Sequence, residues 1–135
     1  MTIKNRALLA AACLLFTAAP ALAHHSFTAE FDGTKTVTIQ GVISKVMWIN
    51  PHVYVYVDSK DQSGTVTTWT LETLPTGFLH KMGVTKELLE GTPGAPVTVT
   101  ANPAKDGTKT LGWIVTVTYP DGHSYTLSTK TPPQE

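Results

Sequence analysis

The clearest pattern in the chain is the strict alternation from His52 to Ser59 (HVYVYVDS), which puts Val53, Val55 and Val57 on one face and His52, Tyr54, Tyr56 and Asp58 on the other. A period of two is that of a half-buried β-strand. Upstream, Val37 to Trp48 (VTIQGVISKVMW) is long and β-branched, with Gly41 where a bulge or sharp coil can bend it. Asn50-Pro51 marks a turn between these runs, because proline fixes φ and cannot donate to a ladder. Asp61 to Gly64 turns the chain again, and Val66 to Leu74 (VTTWTLETL) returns as a third strand, which completes a meander.

Beyond Pro75 the pattern changes. Thr76 to Gly83 and Thr85 to Gly91 predict two short helical turns, each ended by glycine, the second opened by a threonine cap. Alternation resumes at Val97 to Ala101, at Gly112 to Tyr119 and, after the Pro120-Asp121-Gly122 turn, at Ser124 to Leu127, with Val, Trp and Tyr reading inward and threonines outward. Three strands, a short helical interruption and two or three more strands is the order of an OB-type barrel, whose helix sits between strands 3 and 4. The expected fold is therefore mainly β, a small OB-like barrel of five to six strands over residues 36–130. An up-and-down or two-sheet arrangement is the alternative, since periodicity does not fix strand order. An arm, residues 24–35 (HHSFTAEFDGTK), precedes the barrel, and a flexible tail is expected at 131–135.

The first residues obey a different pattern. Lys4 and Arg6, the apolar run Ala7 to Ala19, Pro20 and then Ala21-Leu22-Ala23 follow the plan of a secretory signal peptide, residues 1–23, cleaved before His24. The run is shorter than the roughly 20 residues that a membrane span needs. Ten largely apolar residues follow Cys13, unlike a lipid-modified cysteine, which ends its signal. Cleavage removes this one cysteine, so disulfides are excluded, and a periplasmic or secreted location without membrane attachment is expected.

Charge narrows the partners. The full chain carries 10 Lys+Arg against 10 Asp+Glu, and the leader takes Lys4 and the one arginine, Arg6, leaving a slight acidic excess. That is a poor start for binding phosphate backbones, so no nucleic-acid partner is expected. Without a cysteine nucleophile, a Gly-x-Ser-x-Gly elbow, a His-Glu-x-x-His motif or a glycine-rich phosphate loop, the chain gives little support to conventional catalysis.

The chemistry that remains is nitrogen ligation. Cleavage before His24 would create an α-amine beside the imidazole of the same residue, a chelate that suits Cu(II) best among common divalent ions. Cleavage after Ala21 would instead place histidine third, again with amine, amides and imidazole together. His25 adds a further imidazole, and His52, rigidly placed after Asn50-Pro51, stands at the rim where OB-type barrels bind ligands. The arm from His25 to Lys35 could span roughly 36 Å if extended, so reach does not keep His24 and His52 apart. The expected metal ligands are His24, His25 and His52, the expected cofactor copper.

The competing reading is an OB-type module without metal, using a face of Tyr54, Tyr56, Trp69 and Glu72 for a small molecule, an oligosaccharide or a periplasmic protein partner. Plain structural roles stand beside both: His52 as an exposed residue after a turn, the terminal histidines as a polar end, Met47 and Met82 as gap fillers, and Trp48, Trp69 and Trp113 as buried or half-buried sheet residues. His80 and His123 have no positioned partner in the sequence. Asp58 and Glu72 could face one another on neighbouring strands, a weak sign by itself.

The start His24-His25-Ser26-Phe27, the step Glu30-Phe31-Asp32, the turn Trp48-Ile49-Asn50-Pro51-His52-Val53, the strand Trp69 to Glu72, the segment Leu79 to Leu88 and the stretch Asn102 to Gly107 together carry a resemblance. The chain resembles an uncharacterised domain-of-unknown-function family of small proteobacterial periplasmic proteins with signal peptides. The likeness runs over nearly all of the expected mature chain, and His24, His25, Asn50, Pro51, His52, Trp69 and Glu72 fall on its motif positions. It implies a periplasmic protein and assigns no enzyme class. The chain departs from it at His80-Lys81-Met82-Gly83, where basic residues are usual.

Overall fold

A computed structural model describes residues 27–128. A short helix α1 (Phe27–Glu30) leads into β1 (Val37–Met47), β2 (Tyr54–Lys60) and β3 (Val66–Glu72). Two short helices, α2 (Thr76–Lys81) and α3 (Lys86–Glu90), separate these from β4 (Pro96–Pro103), β5 (Leu111–Thr118) and β6 (Ser124–Thr126). Thr85 caps α3 with its side chain, as its position predicts. The hydrogen-bonded order β3-β2-β1-β4-β5-β6 is closed by a parallel pairing of β3 with β5. The result is an OB-like barrel of five strands, with β6 added to its edge and the helical segment between the third and fourth strands. Among the described residues no helix is long and apolar enough to cross a membrane.

The alternation in β2 works as its pattern predicts. Val53, Val55 and Val57 are fully buried, and burying each stabilises the fold by about 1.5–3 kcal/mol. Leu71 of β3, Val99 of β4 and Ile114 and Val117 of β5 fill the same interior. Gly41 stands where β1 serves two neighbours, Val97 of β4 on one side and the β2 backbone on the other. A Cβ there would collide with the Asp58 carbonyl oxygen, so close approach is the reason for glycine. The expected bulge lies three residues further on: Ile43 pairs with Val57 and Lys45 with Tyr56, which leaves Ser44 as the extra residue.

A second bulge corrects the reading of β5. Thr100 of β4 pairs with Thr116, but Ala101 pairs with Ile114, so Val115 is the extra residue and the inside–outside sense flips there. Ile114 then takes the interior place, and Trp113, which simple alternation sends inward, faces the arm instead. The arm is tightly docked. Phe31 is buried and bridges to Ala104, the Asp32 amide donates to the Pro103 carbonyl at 2.9 Å, and the Lys105 amide donates to the Glu30 carbonyl at 2.8 Å.

Candidate functional site

The barrel's closing seam brings three strands to one outward-facing spot. Tyr54 of β2 lies directly across from Glu72 of β3, and Glu72 lies directly across from Trp113 of β5. Directly paired residues share a sheet face. Just before β2, His52 is on that face too, because Val53 next to it points inward. Its backbone is fixed on both sides: Val53 exchanges hydrogen bonds with Thr73 and Leu74, while the Asn50 side chain accepts from the Thr76 hydroxyl at 3.0 Å and the Thr76 amide at 3.3 Å. The Asn50–Pro51 peptide is cis.

At the centre is a buried carboxylate. Glu72 Oε1 lies 2.7 Å from His52 Nδ1 and accepts the Tyr54 hydroxyl at 3.0 Å. A carboxylate accepts, so Nδ1 carries the hydrogen of this contact and, in the neutral ring, the lone pair sits on Nε2. The imidazole also stands edge-on to Trp113, with centroids 5.2 Å apart and planes at 89°. One ring nitrogen is thus occupied and the ring plane fixed, which is the usual outer support of a metal-binding histidine. Tyr54 responds to the same carboxylate: burial first, then the hydrogen bond and negative charge of Glu72, with Glu30 adding to it, push its phenol up to about 12.

Other sequence candidates fall elsewhere. Tyr56 points along the same outer face, but its hydroxyl contacts Met47 Sδ at 3.4 Å and Lys45 lies over its ring. Trp69 pairs with Val57 and packs against the core, on the opposite face from Tyr54 and Glu72. Asp58 and Glu72 do not face one another. The hairpin register sets Asp58 against Thr68, whose hydroxyl donates to it at 2.6 Å, and gives Glu72 to Tyr54. His80 is on α2, its ring tilted against Trp48 at 5.3 Å, and His123 belongs to the β5–β6 hairpin. His24 and His25 lie outside the described residues, as do residues 1–23, expected as a signal peptide, and the expected tail 131–135.

Among the described residues no three His, Cys, Asp or Glu side chains converge as a metal cluster. What single-residue reading missed is the row of rings beside His52: Phe27 against Trp113 at 5.6 Å, Phe31 against Trp113 at 5.8 Å and Phe27 against Phe31 at 5.9 Å. The hairpin register alone could have found Tyr54 opposite Glu72. The Trp113 position follows only from the Val115 bulge.

One family model matches residues 11–113, that of a family of unknown function, DUF6152. No curated protein and no solved structure matches the chain.

Proposed function

Because the chain belongs to this family of unknown function, we propose its role from its own chemistry: an exported, periplasmic protein of proteobacterial type that binds copper through the processed amino terminus and His52. In this reading residues 1–23 are the signal peptide, His24 supplies its α-amine and imidazole, His52 supplies Nε2, and His25 is an auxiliary ligand. The observation that carries it is the His52–Glu72 contact of 2.7 Å, which engages Nδ1, fixes the ring and leaves Nε2 as the donor. Nitrogen donors of this number and kind favour Cu(II) over other common divalent ions. The docked arm supports the reading, because it holds Phe27, only three residues after His24, on the tryptophan that touches His52.

The test compares two forms of the protein, one with the authentic His24 terminus and one retaining a single extra residue before it. Cu(II) titration should give a tight site in the first and a much weaker one in the second, and His52→Ala should weaken the first. Equal, weak binding in both forms would reject the proposal. The metal-free alternative, a ligand face around Tyr54 and Tyr56, makes the opposite prediction: Tyr54→Ala reduces partner binding while changes at His24 and His52 do not.

A further inference from the structure

A second surface of the barrel is also built by long-range packing. The Tyr119 hydroxyl, just past the end of β5, donates to the Leu89 carbonyl of α3 at 2.7 Å, a bond across 30 residues that joins α3 to the β5–β6 hairpin. Gly91, at φ 63°, lets the backbone leaving α3 lie against the Tyr119 ring, where a Cβ would collide with Cε1. Between the two elements is a cavity of about 510 Å³, within the usual range of small-molecule sites. Tyr119 follows Trp113 by six residues of strand, about 20 Å along β5. The cavity is therefore separate from the His52 face, and what it does is independent of the copper reading.

Its lining narrows the ligand. Leu88, Ala95 and Pro120 give it an apolar wall, and Leu88 is a large apolar side chain left 46% exposed. The charged groups that line it are the carboxylates of Glu87 and Asp121, with no lysine or arginine beside them in the lining, and Lys86 is paired with Glu90 at 3.5 Å. Local donors hold both carboxyls below the usual range: the Glu87 amide and then the Thr85 hydroxyl for Glu87, the His123 amide and then the His123 ring for Asp121. His123 adds an acceptor. Its Nδ1 faces Asp121 and its ring stacks on Tyr119 at 4.4 Å, so in the neutral ring the lone pair is on Nε2. An anionic ligand would meet repulsion from the two carboxylates, and a bare inorganic cation would leave the apolar wall uncovered. From the cavity, its wall and its two carboxylates we infer that this is a binding site for a small organic cation with an apolar body, an amine of the arylalkyl kind.

The experiment uses the protein with 2-phenylethylammonium as the probe, followed through the NMR amide signals of Gly91, Thr92 and Ala95. These should shift saturably, with a Kd of ~1 mM or tighter. 3-Phenylpropionate has the same body and the opposite charge, and ethylammonium has the charge without the ring; each should bind at least about 10-fold more weakly. Asp121→Asn should weaken the probe about 2- to 5-fold, as an exposed charge pair does, and Leu88→Ala about 5-fold through lost apolar contact. Glu87→Gln combined with Asp121→Asn should weaken it about 10-fold. His52→Ala should leave it unchanged.

Equal affinity for the ammonium and carboxylate probes would overturn the inference. So would full affinity in both Leu88→Ala and the double carboxylate variant, or the absence of saturable shifts at the three amides up to about 10 mM probe. Loss of the probe in His52→Ala would assign its binding to the other face and overturn it as well. Cu(II) binding enters none of these readouts, so the copper reading stands or falls on its own titration.

Discussion

Among the described residues two imidazole–carboxylate pairs sit on the barrel, and they share their chemistry while differing in almost everything else. His52 reaches Glu72 at 2.7 Å across 20 residues of sequence, and the Glu72 side chain is 9% exposed. His123 reaches Asp121 at 2.5 Å across two residues, and the Asp121 side chain is 68% exposed. The second pair is a property of its turn: Asp121 also accepts the His123 amide at 3.1 Å, a local bond that any Asp-Gly-His turn can make, and this donor is the first cause of its lowered pKa. The first pair exists only because the β2–β3 pairing register brings two distant positions to one face. Both histidines also lean on aromatic rings, Trp113 for His52 and Tyr119 for His123. An imidazole beside a carboxylate and an aromatic ring is thus no sign of a site until one asks whether local sequence or global topology put it there.

The comparison breaks most readily at the proposed copper site. His52→Ala should lower Cu(II) affinity by about 100-fold or more, whereas His123→Ala should change it less than twofold, both read by competition titration. Equal losses would erase the distinction drawn between the pairs. Stability separates them next. Glu72→Ala strips two half-buried donors, His52 and Tyr54, of their acceptor and should destabilise by about 1–3 kcal/mol in urea unfolding. Asp121→Ala should stay within about 0.5 kcal/mol, the range for exposed sites.

A smaller effect comes from Tyr54. Tyr54→Phe removes one hydrogen bond to Glu72 and should cost about 1 kcal/mol. Its raised pKa favours folding below the ordinary phenol value of 10, an advantage lost as pH rises through about 12. In an alkaline absorbance titration Tyr54→Phe should accordingly delete a late-ionising tyrosine. The smallest effect is in acid. Asp32 is held at about 2 by the Thr34 hydroxyl, then by Lys35 and the Thr34 amide, so its contribution to the arm's turn is present above about pH 4 and fades as pH falls through 2. The Thr34 amide signal in NMR should report that step, and Asp32→Asn should abolish it.

Much of the frame was legible in the chain because it rests on short-range periodicity. Val53, Val55 and Val57 announce an inward face, and Thr85 announces a cap. The order of elements along the chain was legible too, down to the helices between the third and fourth strands, whereas periodicity left the order of strands within the sheet open. The candidate site was half legible. His52 was marked by its turn, but Glu72 as its partner depends on hairpin register, and Trp113 depends on an inserted residue, Val115, that reverses a face without any change in composition. Trp69 shows the converse: an aromatic residue on the right strand whose register assigns it to the core side. Alternation says which residues share a face of one strand; only pairing says which strands share a site.

The parallel contact between β3 and β5 has a kinetic consequence. Glu72 meets Trp113 only when the chain's two halves have come together, a closure across about 40 residues that must offset its loop entropy before it gains any packing. Meander contacts among β1, β2 and β3 can form early, and with them the His52–Glu72 bond. The tryptophan wall and the arm seated on it come last. Ejecting β5 from the seam would therefore take Trp113 and the docked arm away from His52 while most of the meander stayed paired, so a chain caught half folded would display the His52–Glu72 pair bare of its aromatic neighbours.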